Sequence, residues 1–336
     1  MTTIGGFGFG LVSHELGHMW FGDHVTCATW SDIWINEGFA TYSNGLAEEY
    51  LHGWGAGKAF YESCQNSAMS QPGGSTYIPE EEIREDNVWR IFSGRLSYRK
   101  GAAILHTLRH EIQDDSLFFA VMKTFQMQFA DSTATGDDFR QVAEEVTGMD
   151  FEQFFAQWYY GEGYPIFNYE YYMVDGNFHL TATQTSSASS TPLFQLLMDY
   201  KLFFEDGTDT VVQFFHTDNI NTFELFVGKE VTNVVVDPES WTMEQVSNIS
   251  VTLQETEWPV YFSAGPNPVK DHLNIYLMNP AVKERILSVY DISGRMLLEK
   301  TIHENSEVVD MSSFQKGVYL ISVSDHKQEF IRKVIR

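Results

Sequence analysis

The sequence predicts a multidomain chain of the α plus β class, in which a helical domain is followed by two small antiparallel β-sandwich domains. Three observations support this prediction. Apolar residues recur with the period of a helix up to about residue 163, they alternate with the period of a strand from residue 164, and the balance of charge changes near residue 258. We therefore predict domains at residues 1–163, 164–257 and 258–336.

The helical domain is predicted from six segments joined by short loops. These segments are residues 11–22, 36–50, 97–112, 114–129, 135–146 and 150–159. Thr135 suits an N-cap, and Gly148 lies just past the end of the same helix, as is typical of helix termini. The glycines and the proline of residues 161–165 stop the last helix, so strands are expected to follow it.

The second and third domains are predicted from alternating apolar and polar residues. Two strand-like runs flank Asp175-Gly176-Asn177, and Asp206-Gly207 separates another pair in the same way. These short polar sequences are typical of hairpin turns, so residues 164–250 are interpreted as an antiparallel β-sandwich. A third unit, also of strands, is expected to begin near Tyr261 and to end in a basic segment that starts at Lys327.

The composition narrows the function. The chain has 336 residues and a net charge of −25, which argues against binding to nucleic acid because phosphate contacts need Lys and Arg. The excess of acid lies in residues 1–257, with 11 Lys+Arg against 37 Asp+Glu, whereas residues 258–336 hold 10 against 9. No stretch approaches the roughly 18 apolar residues of a transmembrane helix. The two cysteines, Cys27 and Cys64, either form one bridge or remain free thiols.

The most informative motif is His14-Glu15-Leu16-Gly17-His18, which has the form H-E-x-x-H. Positions four apart share one face of a helix, so His14 and His18 can hold one zinc ion about 2.0–2.1 Å from each nitrogen. Glu15 lies beside the metal without binding it, which suits a general base. Glu37 follows His18 after eighteen residues, enough for a turn and a second helix, and is the candidate third ligand. A fourth position is left for water.

Three blocks of the sequence resemble the aminopeptidase N (membrane alanyl aminopeptidase) family of zinc metallopeptidases, which are of the gluzincin type. They are HELGHMWFGDHVT at residues 14–26, WINEGFA at residues 34–40 and LSYRKGA at residues 96–102. The resemblance implies a thermolysin-like helical catalytic domain with one Zn²⁺ per chain, held by His14, His18 and Glu37. It also implies that Glu15 is the general base and that the Tyr98 hydroxyl stabilises the reacting oxygen. The implied activity is removal of N-terminal residues from peptides.

The last 75 residues or so are similar to the C-terminal sorting domain of the type IX secretion system. The similarity rests on the phrases AGPNP from residue 264, VYDISGR from residue 289 and GVYLISV from residue 317. It implies interaction with the secretion machinery and a secreted or outer-surface location. An ordinary β-domain for adhesion or packing is the alternative.

Part of the family pattern has no counterpart in this sequence. The family carries a G-x-M-E-N segment about thirty residues before H-E-x-x-H, whose glutamate holds the amino group of the substrate, but only 13 residues precede His14. The chain lacks a signal peptide as well, so we expect it to be the C-terminal part of a longer protein. A zinc peptidase without amino-terminal selectivity and a non-catalytic fragment or surface protein that retains the fold remain alternatives.

Each candidate residue also has an alternative structural role. His14 and His18 would otherwise be core histidines, Glu37 a carboxylate favoured at a helix N-terminus, and Tyr98 a packed aromatic residue. His106 and His110 have the i, i+4 spacing of a metal pair, but no third ligand is apparent, so they are interpreted as packing or helix-surface histidines. Lys100 is interpreted as structural. Asp23 and Asp32 are interpreted as solvated loop acids, with a role in orienting a ligand imidazole as the alternative.

Overall fold

The chain folds into two compact units, Met1–Leu253 and Gln254–Arg336. The computed structural model describes residues 5–251, 262–277, 284–324 and 329–336. The domain boundary expected at residue 258, the third unit's expected start at Tyr261 and the basic residue Lys327 lie outside the described residues. The observed architecture is a helical N-terminal region followed by several β-sheets in which most strand pairs are antiparallel.

Eight α-helices occupy the described N-terminal part of the chain. They are α1 (Phe9–Gly17), α2 (Trp34–His52), α3 (Trp54–Ala68), α4 (Val88–Ile91), α5 (Gly101–Ile112), α6 (Asp115–Gln128), α7 (Gly136–Thr147) and α8 (Glu152–Trp158). A π-helix, Gly94–Lys100, leads directly into α5. The predicted helix 11–22 ends early, at Gly17, because the chain folds back on itself and reaches a φ of +134° at Gly22.

Helix α3 was not predicted, and its glycines explain why. Gly55 and Gly57 lower the intrinsic helix propensity of the segment. The structure gives Gly57 a packing role, because a Cβ there would lie 2.7 Å from the Cβ of Glu49 on α2. Close approach of α2 and α3 buries Tyr61 and Cys64 completely. Tertiary packing therefore outweighs propensity in this helix.

Helix α2 is the central element of the helical region. Trp34, Phe39 and Tyr42 on this helix are fully buried, and the ring of Trp34 lies 4.8 Å from that of Tyr159. Phe39 contacts Phe139 edge to face at 4.8 Å between ring centroids. Aromatic pairs in such geometries each contribute about 0.5–1.5 kcal/mol beyond the area they bury. The N-terminal turn of α2, which carries Glu37, is thus fixed in a rigid aromatic core.

Two larger sheets follow the helices in the first unit. A small parallel sheet of β1 (Val25–Cys27) and β2 (Ser132–Ala134) lies within the helical region. The strands of the two larger sheets are β3 (Pro165–Val174), β4 (Asn177–Ser186), β5 (Leu196–Phe204), β6 (Asp209–His216), β7 (Ile220–Phe226), β8 (Val231–Val236) and β9 (Gln245–Val251). The orders are β7-β4-β3-β9 and β6-β5-β8. Tyr169 of one sheet contacts Tyr200 of the other at 5.6 Å between ring centroids.

The turn predicted at Asp175-Gly176 is confirmed, but one strand pairing differs from the prediction. Asp175 and Gly176 both have positive φ, 49° and 80°, as a two-residue type I′ hairpin loop requires. Strand β9, however, pairs with β3 in parallel. The expectation of purely antiparallel sheets was therefore wrong at this edge. The chain leaves β8 in one sheet and enters β9 in the other, so β9 is not joined to its neighbour by a hairpin.

The side chain of Trp241 joins these sheets to the helices. Its ring stacks on His106 of α5 at 4.6 Å and lies 4.9 Å from the ring of Trp54 on α3. Its carbonyl oxygen accepts a hydrogen bond from Thr107 Oγ1 at 3.0 Å. Helices and sheets consequently share one continuous hydrophobic core.

The second unit contains seven described strands in two antiparallel sheets. They are β10 (Phe262–Gly265), β11 (His272–Leu277), β12 (Arg285–Asp291), β13 (Met296–Ile302), β14 (Ser306–Asp310), β15 (Val318–Ser324) and β16 (Glu329–Ile335). The sheet orders are β10-β11-β14 and β13-β12-β15-β16. Leu273, Ile275, Leu287 and Ile321 are fully buried between them. Among the described residues, none of the helices is both long and apolar enough to span a membrane.

Candidate metal centre

Three predicted ligands converge where α1 meets the first turn of α2. His14 lies in α1, and His18 is the residue that caps its C-terminus. The Nε2 atoms of His14 and His18 lie 3.4 Å and 3.3 Å from Oε2 of Glu37. One ligand atom from each residue lies within 4.8 Å of the other two. The structure therefore brings together all three residues that the sequence proposed as metal ligands.

The donor set fits zinc. Two imidazole nitrogens and one carboxylate oxygen are ligands that zinc prefers, and three protein ligands leave one coordination position open. Burial by itself raises the pKa of Glu37, but the two imidazoles that face it lower the pKa to about 2. Burial lowers the pKa of His18, yet Glu37 and the Phe21 carbonyl outweigh burial and raise it overall. An ionised carboxylate facing two imidazoles makes this point attractive to a cation. Among the residues that the structure describes, no other cluster of three such ligands occurs.

Close backbone contact sets the position of α1 on α2. A Cβ added to Gly17 would lie 3.1 Å from both the Cα of Ala40 and the Cβ of Ser43, so only glycine fits there without displacement. Ser13 Oγ donates a hydrogen bond to Oδ1 of Asn44 at 3.0 Å, which ties the middle of α1 to α2. The two histidines are thus held at a fixed distance from Glu37.

The outer nitrogen of each histidine also has a partner. Nδ1 of His18 lies 3.0 Å from the carbonyl oxygen of Phe21. Nδ1 of His14 lies 3.5 Å from Oγ1 of Thr41, which is on α2. Ring nitrogens held in this way orient the imidazole and select its tautomer. The inner nitrogens therefore face Glu37.

Glu15 and Tyr98 lie beside the three ligands. The Tyr98 ring stacks on His14, with 5.8 Å between ring centroids and 14° between planes. Burial raises the pKa of the Tyr98 hydroxyl, and the negative charges of Glu37 and Glu15 raise it further. Tyr98 consequently keeps its proton at neutral pH and is available as a hydrogen-bond donor. Glu15 is close enough to raise the pKa of His18 as well.

Tyr98 is presented by the π-helix, Gly94–Lys100. Ser93 caps this helix, and its hydroxyl accepts a hydrogen bond from the Leu96 amide at 3.2 Å. Segments of π-helix are rare and occur frequently at functional sites. The following residue, Gly101, contacts Gly38 of α2 backbone to backbone, since a Cβ on Gly101 would lie 3.0 Å from the Cα of Gly38. This crossing brings the helix of Tyr98 against the helix of Glu37.

Lys100 is a buried structural residue at the end of the same π-helix. Its Nζ donates hydrogen bonds to the carbonyl oxygens of Gly74 at 2.9 Å and Gly161 at 3.1 Å. Burial lowers the pKa of Lys100 to about 7. The side chain joins the π-helix to two loops and does not face the metal centre.

His106, His110 and Asp32 have partners outside the three candidate ligands. His106 is fully buried and stacks on Tyr61 at 4.0 Å, and Nε2 of His110 lies 2.9 Å from Oδ1 of Asp199. Both are packing histidines, which confirms the first of the two predicted alternatives, and neither lies on the helix surface. The interpretation of Asp32 as a solvated acid was wrong, because this buried carboxylate accepts hydrogen bonds from the Gly136 amide and the Tyr159 hydroxyl, each at 2.8 Å.

Some residues that shape the site were missed at the level of sequence. Gly38, Gly101 and Thr41 contribute through contacts between helices, which no single segment reveals. Of these three, Thr41 could have been found most easily from the sequence, because it lies four residues after Glu37 and so shares its face of α2.

The cysteines are both free: Cys64 is buried, and Cys27 is partly exposed.

Two families of domains match this chain. Residues 9–158 match the peptidase family M1 domain, and residues 263–336 match the secretion system C-terminal sorting domain. The first match covers α1 to α8, including the whole candidate metal centre. The second covers the strands of the second unit.

Individual relatives match part of this chain. Aminopeptidase M1-A of Oryza sativa subsp. japonica is 30% identical over 194 residues, which are 57% of this chain and 22% of that protein. Leucyl aminopeptidase of Saccharolobus solfataricus is 32% identical over 158 residues, 46% of this chain and 20% of that protein. The chain thus spans about a fifth of the length of these relatives.

A solved structure shares the fold. The crystal structure of Legionella pneumophila aminopeptidase A in complex with aspartic acid aligns with a TM-score of 0.60 over 70% of this chain and 26% of that one. The sequence identity is 15%, so this likeness concerns the fold alone.

Proposed function

Because the chain carries a peptidase family M1 domain at residues 9–158 and a secretion system C-terminal sorting domain at residues 263–336, we propose that it acts as a secreted zinc-dependent aminopeptidase. The sorting domain indicates secretion or a location at the cell surface. The observation that carries the proposal is the convergence of His14, His18 and Glu37 on one point, with Tyr98 stacked beside them. The names of the relatives, which are called aminopeptidases, support a peptide with a free amino terminus as the substrate.

His14, His18 and Glu37 would hold the zinc ion. When bound there, zinc lowers the pKa of a water molecule and polarises the scissile carbonyl group. The low pKa of Glu37 keeps this ligand ionised at neutral pH. The proposed domain is of the thermolysin-like type, with its ligands on two adjacent helices.

Glu15 acts as general base and Tyr98 as hydrogen-bond donor in this proposal. The Glu15 carboxylate accepts a proton from the attacking water and then gives it to the leaving amine. The Tyr98 hydroxyl, which keeps its proton, donates a hydrogen bond to the carbonyl oxygen as negative charge develops there.

The same chain is proposed to be cargo of the type IX secretion machinery. The strands of the second unit, β10 to β16, lie within the region that matches the sorting domain, except for Phe262 at the start of β10. This match supports the secretion machinery as a partner. No residue of this chain is assigned to the substrate's amino group. A zinc peptidase without amino-terminal selectivity is therefore the second candidate.

The test is hydrolysis of a free-amine dipeptide amide beside its N-acetylated counterpart, with and without a chelator. Glu15→Gln serves as the control variant, because it removes the base and leaves the ligands in place. We expect chelator-sensitive cleavage of the free-amine substrate and loss of cleavage in Glu15→Gln.

Cleavage of both substrates would favour the second candidate. Bound zinc without any cleavage would mean that the metal centre forms but that this chain does not catalyse the reaction. Absence of zinc binding would contradict the proposed metal centre itself.

A further inference from the structure

The two histidines of the metal centre are oriented by different kinds of partner. Nδ1 of His18 lies 3.0 Å from a backbone carbonyl, that of Phe21, which no substitution of a side chain removes. Nδ1 of His14 lies 3.5 Å from a side-chain hydroxyl, that of Thr41. The orientation of His14 therefore depends on the identity of one residue, whereas that of His18 does not.

The hydrogen bonds of Thr41 determine what its hydroxyl can do for His14. The hydroxyl donates its only proton to the carbonyl oxygen of Glu37 at 2.6 Å, within a buried part of α2. It is then left with lone pairs alone, so it can only accept a hydrogen bond from His14. A neutral His14 whose Nε2 binds a metal must carry its proton on Nδ1, where this hydroxyl can accept it.

This arrangement leaves the lone pair of His14 on Nε2. Nε2 is the atom that faces Glu37, 3.4 Å from Oε2. The Phe21 carbonyl, which is an acceptor only, selects the same tautomer in His18, whose Nε2 lies 3.3 Å from the same oxygen. Both imidazoles thus direct a free lone pair toward one point.

We propose that Thr41 is a positioning residue of the metal centre, which fixes the tautomer and the ring orientation of His14 and so sets the affinity for zinc. The inference rests on the proposed function only in that His14, His18 and Glu37 bind a divalent metal. Loss of an outer partner of a ligating histidine typically lowers metal affinity about 10–100-fold.

The experiment measures the dissociation constant of Zn²⁺ for the full chain by competition with a chromophoric chelator at a fixed pH. Thr41→Val keeps the shape of the side chain and removes the hydroxyl, and Thr41→Ser keeps the hydroxyl. Ser43→Ala is the matched control. Like Thr41, Ser43 donates its hydroxyl proton to the carbonyl oxygen four residues earlier on α2, here that of Phe39 at 2.9 Å, but it is bonded to no imidazole. Thermal unfolding of the metal-free variants reports on their folding.

We expect Thr41→Val to bind zinc about 10–100-fold more weakly, and Thr41→Ser and Ser43→Ala to stay within about 3-fold of the parent. Zinc binding by Thr41→Val equal to that of the parent would overturn the inference. An equal loss in Ser43→Ala would overturn it too, because the effect would then belong to helix α2 in general. If the parent bound no zinc, the proposed metal centre would fail as a whole, which is a different result from failure of Thr41→Val alone.

Discussion

The crossing of Gly38 and Gly101 determines how closely Tyr98 can lie to the metal ligands. Gly38 follows Glu37 on α2, and Gly101 lies three residues after Tyr98, so the crossing is close in the chain to both of these residues. A Cβ on Gly101 would lie 3.0 Å from the Cα of Gly38, and one on Gly38 would lie 3.2 Å from the carbonyl oxygen of Ser97. Carbon atoms prefer about 3.5–4.0 Å. Gly101→Ala must therefore separate the helices by about 0.5–1 Å.

The structure sets the size of the expected effect of Gly101→Ala. Added atoms in a well-packed core cost about 1–3 kcal/mol of unfolding free energy. A misplacement of about 1 Å between catalytic groups costs about 100-fold in rate. We expect Gly101→Ala to lower turnover by up to that factor and to leave zinc bound, because its ligands lie on α1 and α2 rather than on the displaced π-helix.

Gly94→Ala is the matched control for this prediction. Gly94 begins the same π-helix, and a Cβ there would meet no atom within 4 Å. Turnover is measured with a free-amine substrate, stability by urea unfolding, and zinc content by metal analysis. If Gly101→Ala matched Gly94→Ala in both turnover and stability, the crossing would not position Tyr98 and the reasoning would be refuted.

Two further predictions concern single side chains. Tyr98→Phe removes the hydrogen-bond donor and is expected to reduce turnover about 100–1,000-fold, which corresponds to about 2.7–4 kcal/mol of activation free energy, while zinc stays bound. Steady-state kinetics and metal analysis measure this, and full activity would contradict the role of Tyr98. Burial raises the pKa of Glu244 from 4.5 to about 8. The folded protein therefore holds a proton that the unfolded chain releases above about 4.5, and the free energy of unfolding falls as pH rises between these two pKa values. Glu244→Gln removes this pH dependence and is expected to be more stable than the parent by up to about 3 kcal/mol at pH 7, with no gain at pH 4. Calorimetry at pH 7 and pH 4 measures the difference, and an equal gain at both pH values would contradict the role of Glu244.

The convergence of the three candidate metal ligands could be predicted from the sequence because it depends on local spacing. His14 and His18 share a helix face by spacing alone, and Glu37 falls in the first turn of the next long helix. The outer partners were not predictable in the same way. Thr41 reaches His14 only because Gly17 lets α1 lie against α2, and this contact joins residues that are distant in the sequence.

The fold was predictable where turns and periods are strong, and less so where packing decides. The hairpin at Asp175-Gly176 follows from two residues that tolerate positive φ. Helix α3 contains glycines that argue against a helix, and only its contact with α2 explains them. The parallel pairing of edge strand β9 results from a connection between two sheets, and no local sequence pattern predicts such a connection. Asp32 looked like a loop acid, because its partners at Gly136 and Tyr159 are more than a hundred residues away.

The indole of Trp241 has a consequence for how the protein can be divided. It fills a slot between α3 and α5 although it belongs to the loop that precedes β9. A fragment that stopped at residue 163 would leave the rings of Trp54 and His106 without this cover and His110 without Asp199. The helices that bear the metal ligands are thus expected to unfold together with the sheets in one transition, so the expression of an isolated helical part should give an aggregating product.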